Sequence, residues 1–325
     1  MKRTTVQFVA FIFIFLVSVG TIQNQYTTEY IDDLKNATIT VAKQTNTLYM
    51  EIEKKSIEFD IPAIDAEIHK VWKATPGYNG IKVDVDASYQ NMKSDGKFNE
   101  KKLVYKQIKP KVHLDDLPPE AIYRGNPEKP MVSFIINVAW GNEYIPDMLE
   151  TLKKHNVMAT FFLEGRWTKE NPDLAKMIVD AGHEVGNHSY THPNLKTLPS
   201  ASVTQELQRT NEIIEATTGS KPDLFAPPSG NYRDEVVKIA ADQGMKTIMW
   251  SVDTIDWQRP EPHVLVDRVM GKIHPGALVL MHPTASTAGA LETLILSIKQ
   301  KEYLIDNVTT LLSEERIING QVKHK

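Results

Sequence analysis

Two imidazoles stand one helical turn's worth of residues apart in Gly186-Asn187-His188-Ser189-Tyr190-Thr191-His192-Pro193. Neutral imidazole is a common ligand for divalent metal, and a pair at this spacing beyond a short strand can reach one ion. Spacing alone is weak grounds. The position is stronger, because βα folds collect their sites at the C-terminal ends of their strands. Three more segments fall at such ends: Phe225-Ala226-Pro227-Pro228-Ser229-Gly230, then Trp250-Ser251-Val252-Asp253-Thr254-Ile255-Asp256-Trp257, then Leu278-Val279-Leu280-Met281-His282-Pro283. Taken singly, these are a turn, a capped strand end and a buried histidine. Cysteine is absent, which excludes thiol catalysis, Cys-type zinc sites and disulfides. A metal here would have to use His, carboxylates and water.

The elements that must position these residues are legible from periodicity. Val132 to Val138 is a near-continuous apolar run, as expected of a strand covered on both faces. Ile145, Met148, Leu149 and Leu152 follow at helical spacing, with Pro146 in the first turn. Thr160 to Leu163 reads as a strand, and Leu174, Met177, Ile178 and Ala181 as a helix closed by Gly182. The alternation continues with a helix over Ser200 to Thr218, a strand at Leu224, and a helix from Asp234 to Gln243 before Gly244. Strands near Met249 and Val279 and a helix over Ala290 to Lys299 complete it. Repeated βα units with short loops predict an α/β fold, a parallel sheet or barrel, over residues 131–317.

Upstream, Pro118-Pro119 and Gly125-Asn126-Pro127-Glu128-Lys129-Pro130 predict a linker over 118–130. Residues 48–117 read as a small α+β domain. Pro62-Ala63-Ile64-Asp65-Ala66 opens a short helix with Ile64, Ile68, Val71 and Trp72 on one face. Ile81, Val83, Val85 and Ala87 alternate as a half-buried strand, and a second strand runs from about Lys102 to Ile108. This module weakly resembles peptidoglycan-binding modules, on its Pro-x-x-x-Ala opening and Gly-x-x-Val-Asp turn; a spacer domain is the plainer reading.

In 325 residues, 41% are hydrophobic and 24% charged, a globular composition that excludes a disordered chain, a collagen and a polytopic membrane protein. The formal net charge of −4 excludes a general hold on a nucleic-acid backbone. Lys2 and Arg3, the apolar run from Phe8 to Val19, and small Ser18 and Gly20 predict a signal peptide over 1–23, either cleaved or kept as an anchor. Residues 24–47 are then a tether. The expectation is export, to the extracellular face of the cytoplasmic membrane or the cell wall, with membrane contact through the N-terminal segment alone.

In this order the four strand-end segments resemble the polysaccharide deacetylases of carbohydrate esterase family 4, the NodB-homology domain, over residues 131–317, with 318–325 as a tail. The resemblance implies a distorted (β/α) barrel and removal of acetyl groups from peptidoglycan, chitin or xylan. It also implies a divalent metal, zinc foremost, on an Asp-His-His triad, with a second Asp as general base and a His as general acid. The metal histidines of the family fall on His188 and His192, with Ser189 between them. The general acid falls on His282 in Leu280-x-His282, oriented by Asp256. Trp257, Leu280, Pro227, Pro228 and Gly230 fall on the substrate pocket.

Two motifs depart. The family's Thr-Phe-Asp-Asp-Gly reads Asn137-Val138-Ala139-Trp140-Gly141, so Ala139 replaces the base and Trp140 the metal-binding Asp. Its Arg-x-Pro-x-Gly begins here with Ala226. The family's Arg pairs with the base carboxylate, so their joint loss is one linked change; a buried Arg without its partner is costly. A general base is worth about 10²–10⁴ in rate, so activity is expected to be low or absent and metal binding weak or absent. Trp140 either fills the vacated ion position or offers a sugar ring a face, and Glu143 is a remote substitute carboxylate. Three functions stay open. One is a degenerate deacetylase that binds peptidoglycan or another N-acetylated glycan, or a cell-wall enzyme. Another is an active N-deacetylase with a rearranged site. The third is a structural envelope protein.

Overall fold

The computed structural model describes residues 7–15, 26, 28–32 and 47–317. The ends of the expected signal segment (1–6 and 16–23), most of the tether and the tail 318–325 lie outside the described residues. Residues 7–15 are helical, and no helix among the described residues is long and apolar enough to cross a membrane.

The chain divides into two compact units, residues 1–61 with 81–106, and residues 62–80 with 107–325. This differs from the expected boundaries at 48–117 and 118–130. In the first unit, helix Thr47–Ser56 buries Leu48 and Ile52 in a cluster with Val83, Met92 and Leu103. The expected strand through Val85 and Ala87 stops at Val83. Asp84 accepts the Ala87 N–H at 3.0 Å and starts helix Val85–Met92 instead. A carboxylate N-cap here overrides a short alternation that a strand and a helix start share.

In the second unit, the expected helix through Ile64, Ile68, Val71 and Trp72 is a hairpin, Glu67–His69 antiparallel to Lys73–Thr75. The His69 ring accepts the Val71 and Trp72 N–H groups at 3.1 Å and fixes the turn. The stretch expected as a linker is stitched into this unit. Ile122 donates its N–H to Thr247 at 2.9 Å and accepts that of Met249 at 2.8 Å. Lys129 is wholly buried, its Nζ held by the Thr310 and Ser313 carbonyls and the Ser313 hydroxyl.

The centre of this unit is a parallel eight-stranded sheet. Its strands are β1 (Met131–Val138), β2 (Thr160–Leu163), β3 (Glu184–Asn187), β4 (Leu224–Phe225), β5 (Lys246–Thr247), β6 (Val252–Asp253), β7 (Leu278–Met281) and β8 (Leu304–Ile305). The order is β6-β7-β1-β2-β3-β4-β5, with β8 also pairing β1. Among the described residues no β5–β6 ladder closes the ring, so the barrel is open; the family resemblance implies a distorted (β/α) barrel. Helices α1 (Ile145–Lys154), α2 (Gly165–Glu170), α3 (Pro172–Asp180), α4 (Ser200–Thr218), α5 (Asp234–Asp242), α6 (Pro262–Met270), α7 (Ala285–Gln300) and α8 (Val308–Leu312) connect or follow the strands.

Strand β1 is buried along its whole length. Val132, Phe134, Ile136 and Val138 join the core shared with α1, α3 and α7, whereas Met131 and Ile135 join a second cluster with Phe162, Ile248, Leu278 and Leu280. The two-residue period therefore carries Asn137 and Ala139 onto the inner side at the strand's C-terminal end.

Candidate active site

A cavity of about 480 Å³ lies at that end, lined by Asn137 of β1, by Ala139 and Trp140 just beyond it, and by His188 and His192 from the β3 loop. Ser229, Trp250, Asp253, Trp257, Leu280 and His282 complete the lining. The structure thus brings together both expected metal histidines, the expected acid, Trp257 and Leu280. Pro227, Pro228 and Gly230, expected in the substrate pocket, are not among its lining; Ser229 represents that segment. Pro228 is buried, and at Gly230 (φ +66°) a Cβ would stand 2.7 Å from the Trp250 ring. These residues therefore shape the loop beneath Trp250, and sequence order could not separate shaping from lining.

The β3 loop is held from several sides. Asn187 accepts the Ser189 N–H at 2.8 Å and donates to the Leu207 carbonyl at 2.8 Å and to Asn211 at 2.7 Å. Glu206 of α4 accepts the N–H groups of Tyr190 and Thr191. Ser189 and His192 take left-handed backbone angles, φ +60° and +56°. That conformation is unfavourable for such residues and persists because the surroundings over-determine it.

His188 is buried and donates its Nδ1–H to the Ala226 carbonyl at 2.8 Å, which fixes the tautomer and leaves Nε2 with a lone pair. Burial, then the neighbouring His192, push its pKa down to about 3, against the opposing effect of the Ala226 bond. The His192 ring lies edge-on to it at 5.0 Å, and burial lowers its pKa as well. Both rings are thus neutral donors of electron pairs. Ala226 itself packs in the inner apolar cluster, so its contribution to the site is this carbonyl.

On the opposite wall Asp256 is fully buried. It accepts the His282 Nδ1–H at 2.8 Å, the His282 backbone N–H at 2.5 Å and the Thr287 hydroxyl at 2.6 Å. This orients the His282 ring and leaves its Nε2 toward the cavity side. The expected pair of Asp256 and His282 is formed.

The β1 end is where the pattern breaks. Trp140 is 47% exposed and lies parallel to the His282 ring, 5.9 Å between centroids and 7° between planes. It stands at the mouth, so it is not a buried plug in the vacated ion position. Gly141 (φ +83°) lets the chain turn away, because a Cβ there would collide with the Pro283 carbonyl oxygen. Glu143 is exposed and lines a neighbouring groove of about 770 Å³, outside the histidine cavity. Trp140 and Trp257 line both spaces.

The donor set does not fit a catalytic metal. Such a site needs three protein ligands, and here two imidazoles face a strand end that carries Ala139 and Trp140. No group of three or more His, Asp or Glu side chains placed to hold an ion occurs among the described residues. Sequence reasoning assigned no role to Asn137, Ser229, Trp250 or Asp253. The signals were there for two: Asn137 shares the strand face of Ala139, and Asp253 ends β6 just before Asp256.

The chain is thus an open parallel βα barrel with a carboxylate-held histidine and an imidazole pair at one cavity. The polysaccharide deacetylase model matches residues 124–248. The peptidoglycan-N-acetylmuramic acid deacetylase PdaA of Bacillus subtilis is 32% identical, over 61% of this chain and 77% of that protein. The Bacillus subtilis protein YlxY is 52% identical over 98% of this chain and 100% of its own length. Among solved structures, BA3943 of Bacillus anthracis, described as a CE4 family pseudoenzyme, is 62% identical, covers 83% of this chain and 96% of its own, and gives a TM-score of 0.80. A mutant of it is described as having restored enzymatic activity. The chain belongs to the polysaccharide deacetylase family, carbohydrate esterase family 4.

Proposed function

We propose that this chain is a degenerate deacetylase of the cell envelope that binds hexosamine glycan of the wall, peptidoglycan foremost, with little or no turnover. The observation that carries the reading is the rim of β1. Ala139 and Trp140 stand where the family keeps its two carboxylates, while the cavity, the paired imidazoles and the Asp256–His282 couple remain. Without the base, no side chain at that rim takes the proton of an attacking water. Without the third ligand, the acetyl carbonyl lacks a firmly held cation to polarise it. His282, held by Asp256, still faces the place a leaving amine would occupy, but any step there follows one the site does not support.

Binding is a separate matter from turnover. Two exposed tryptophans at the mouth, Trp140 and Trp257, present flat apolar faces of the kind sugar rings stack on. The peptidoglycan deacetylases among the relatives support wall glycan as the ligand, and the restored mutant of the Bacillus anthracis pseudoenzyme supports a lesion confined to few positions. Placement outside the cytoplasmic membrane rests on the N-terminal sequence pattern.

The test pairs two measurements on the purified chain, zinc titration by calorimetry and acetate release from acetylated chitooligosaccharides and wall fragments. Weak or absent zinc binding with no release beyond a His282→Ala control is the expected result. A one-to-one nanomolar zinc site lost in His188→Ala, together with steady acetate release, overturns it.

A further inference from the structure

The chemical state of the glycan can be read from the cavity wall. His188 gives its Nδ1 proton to Ala226, so its remaining ring nitrogen is an acceptor. One carboxylate oxygen of Asp253 accepts the Ile255 N–H at 2.8 Å, and the other is left for a ligand. Among the described residues, Asp253 is the sole acidic side chain of the lining, and no Lys or Arg joins it.

A free carboxylate oxygen and an imidazole acceptor, with no Lys or Arg beside them, are a poorer match for an acetyl carbonyl oxygen than for a cation. They match a cation carrying several N–H donors, because a charged donor gains most from a carboxylate. Trp140 and Trp257 add to this. An aromatic face attracts a cation and also takes the apolar face of a pyranose.

We propose that the cavity binds the protonated 2-amino group of a de-N-acetylated hexosamine, so that the chain recognises glycan from which acetyl groups have already been removed. The inference rests on the glycan-binding reading above and deepens it. The supplier of such a ligand is an active N-deacetylase, and the chain would read that reaction's product.

The test is calorimetric titration of the full chain at pH 6, where amines are protonated, with four ligands. They are the glucosamine tetramer, the N-acetylglucosamine tetramer, uncharged cellotetraose and trilysine. The glucosamine tetramer is expected to bind tightest, about tenfold or more over the acetylated one, as a charge-assisted hydrogen bond implies. Asp253→Asn keeps an acceptor for the Ile255 N–H and should erase that preference. Glu215→Gln, the same charge change on the exposed side of α4, should leave it. Equal or tighter binding of the acetylated tetramer overturns the inference and leaves the glycan-binding reading standing. Binding of neither tetramer removes both. Trilysine or cellotetraose matching the glucosamine tetramer, or a preference that survives Asp253→Asn, overturns the inference alone.

Discussion

Asp256 on one wall of the cavity and the Ala139–Trp140 rim on the other show what a family site keeps and what it can lose. Asp256 orients His282, but it also holds the His282 backbone N–H and the hydroxyl of Thr287 in the first turn of α7. Thr287 in turn takes part in the Thr284 cap that starts that helix. Removing the carboxylate would leave buried donors unmet, so function and fold are tied in one residue. Positions 139 and 140 lie at an open strand end, half-buried and exposed. Carboxylates there would not be tied into helix α7 as Asp256 is, and the Arg that the family resemblance pairs with the base is replaced here by Ala226. His188 is an intermediate case. Its Nδ1–H satisfies the Ala226 carbonyl whether or not its other nitrogen meets a ligand.

The comparison is sharpened most by repair of the rim. The Trp140→Asp substitution should restore zinc binding, measured by calorimetry, with little acetate release. Combined with Ala139→Asp and Ala226→Arg, it should raise release by about 10²–10⁴ over wild type, the usual worth of a positioned base. A wild type as fast as the triple variant would break the comparison, because the rim would then not be the lesion.

On the other wall, Asp256→Ala should lower unfolding stability by about 2–3 kcal/mol, from donors left unpaired in the core. Its thermal midpoint should fall accordingly, by roughly 2–4 °C per kcal/mol for a unit of this size. A loss within the scatter of surface substitutions would show that the couple is not structural.

The acid limb of stability tests His188. Its ordinary pKa of 6.5 falls to about 3 in the fold, so the unfolded chain binds more protons between those values. Stability should therefore fall as pH drops below about 6.5, with a slope approaching 1.4 kcal/mol per pH unit for one such group. Urea midpoints for wild type and His188→Gln should diverge over that window, the variant having the shallower decline. Parallel curves would count against a buried neutral ring.

The smallest effect is expected at Trp140→Ala. Stability should change by about 0.5 kcal/mol or less, as for an exposed side chain, while affinity for the glucosamine tetramer drops several-fold. A large stability loss would mean that the stack on His282 is part of the core.

The order of strands and helices from Met131 onward was legible because both faces of a covered parallel strand are apolar and each helix repeats every turn. The same logic failed over residues 62–87. There, short periodic runs fit either element, and local caps at His69 and Asp84 decided the outcome. The strand-end motifs named His188, His192, Asp256 and His282 as partners, since a parallel βα topology brings successive strand ends to one rim. Their types and order carried the family resemblance, and that resemblance implies a carboxylate pair and an Arg that this sequence lacks. Tertiary structure alone decided that Trp140 stands exposed against His282 and that Ala226 contributes a carbonyl to His188. Each of these depends on how strands distant in sequence align and which way a side chain turns at a strand end. Periodicity sets the face of a strand, but not the rotamer at its last residue or the neighbour that residue meets.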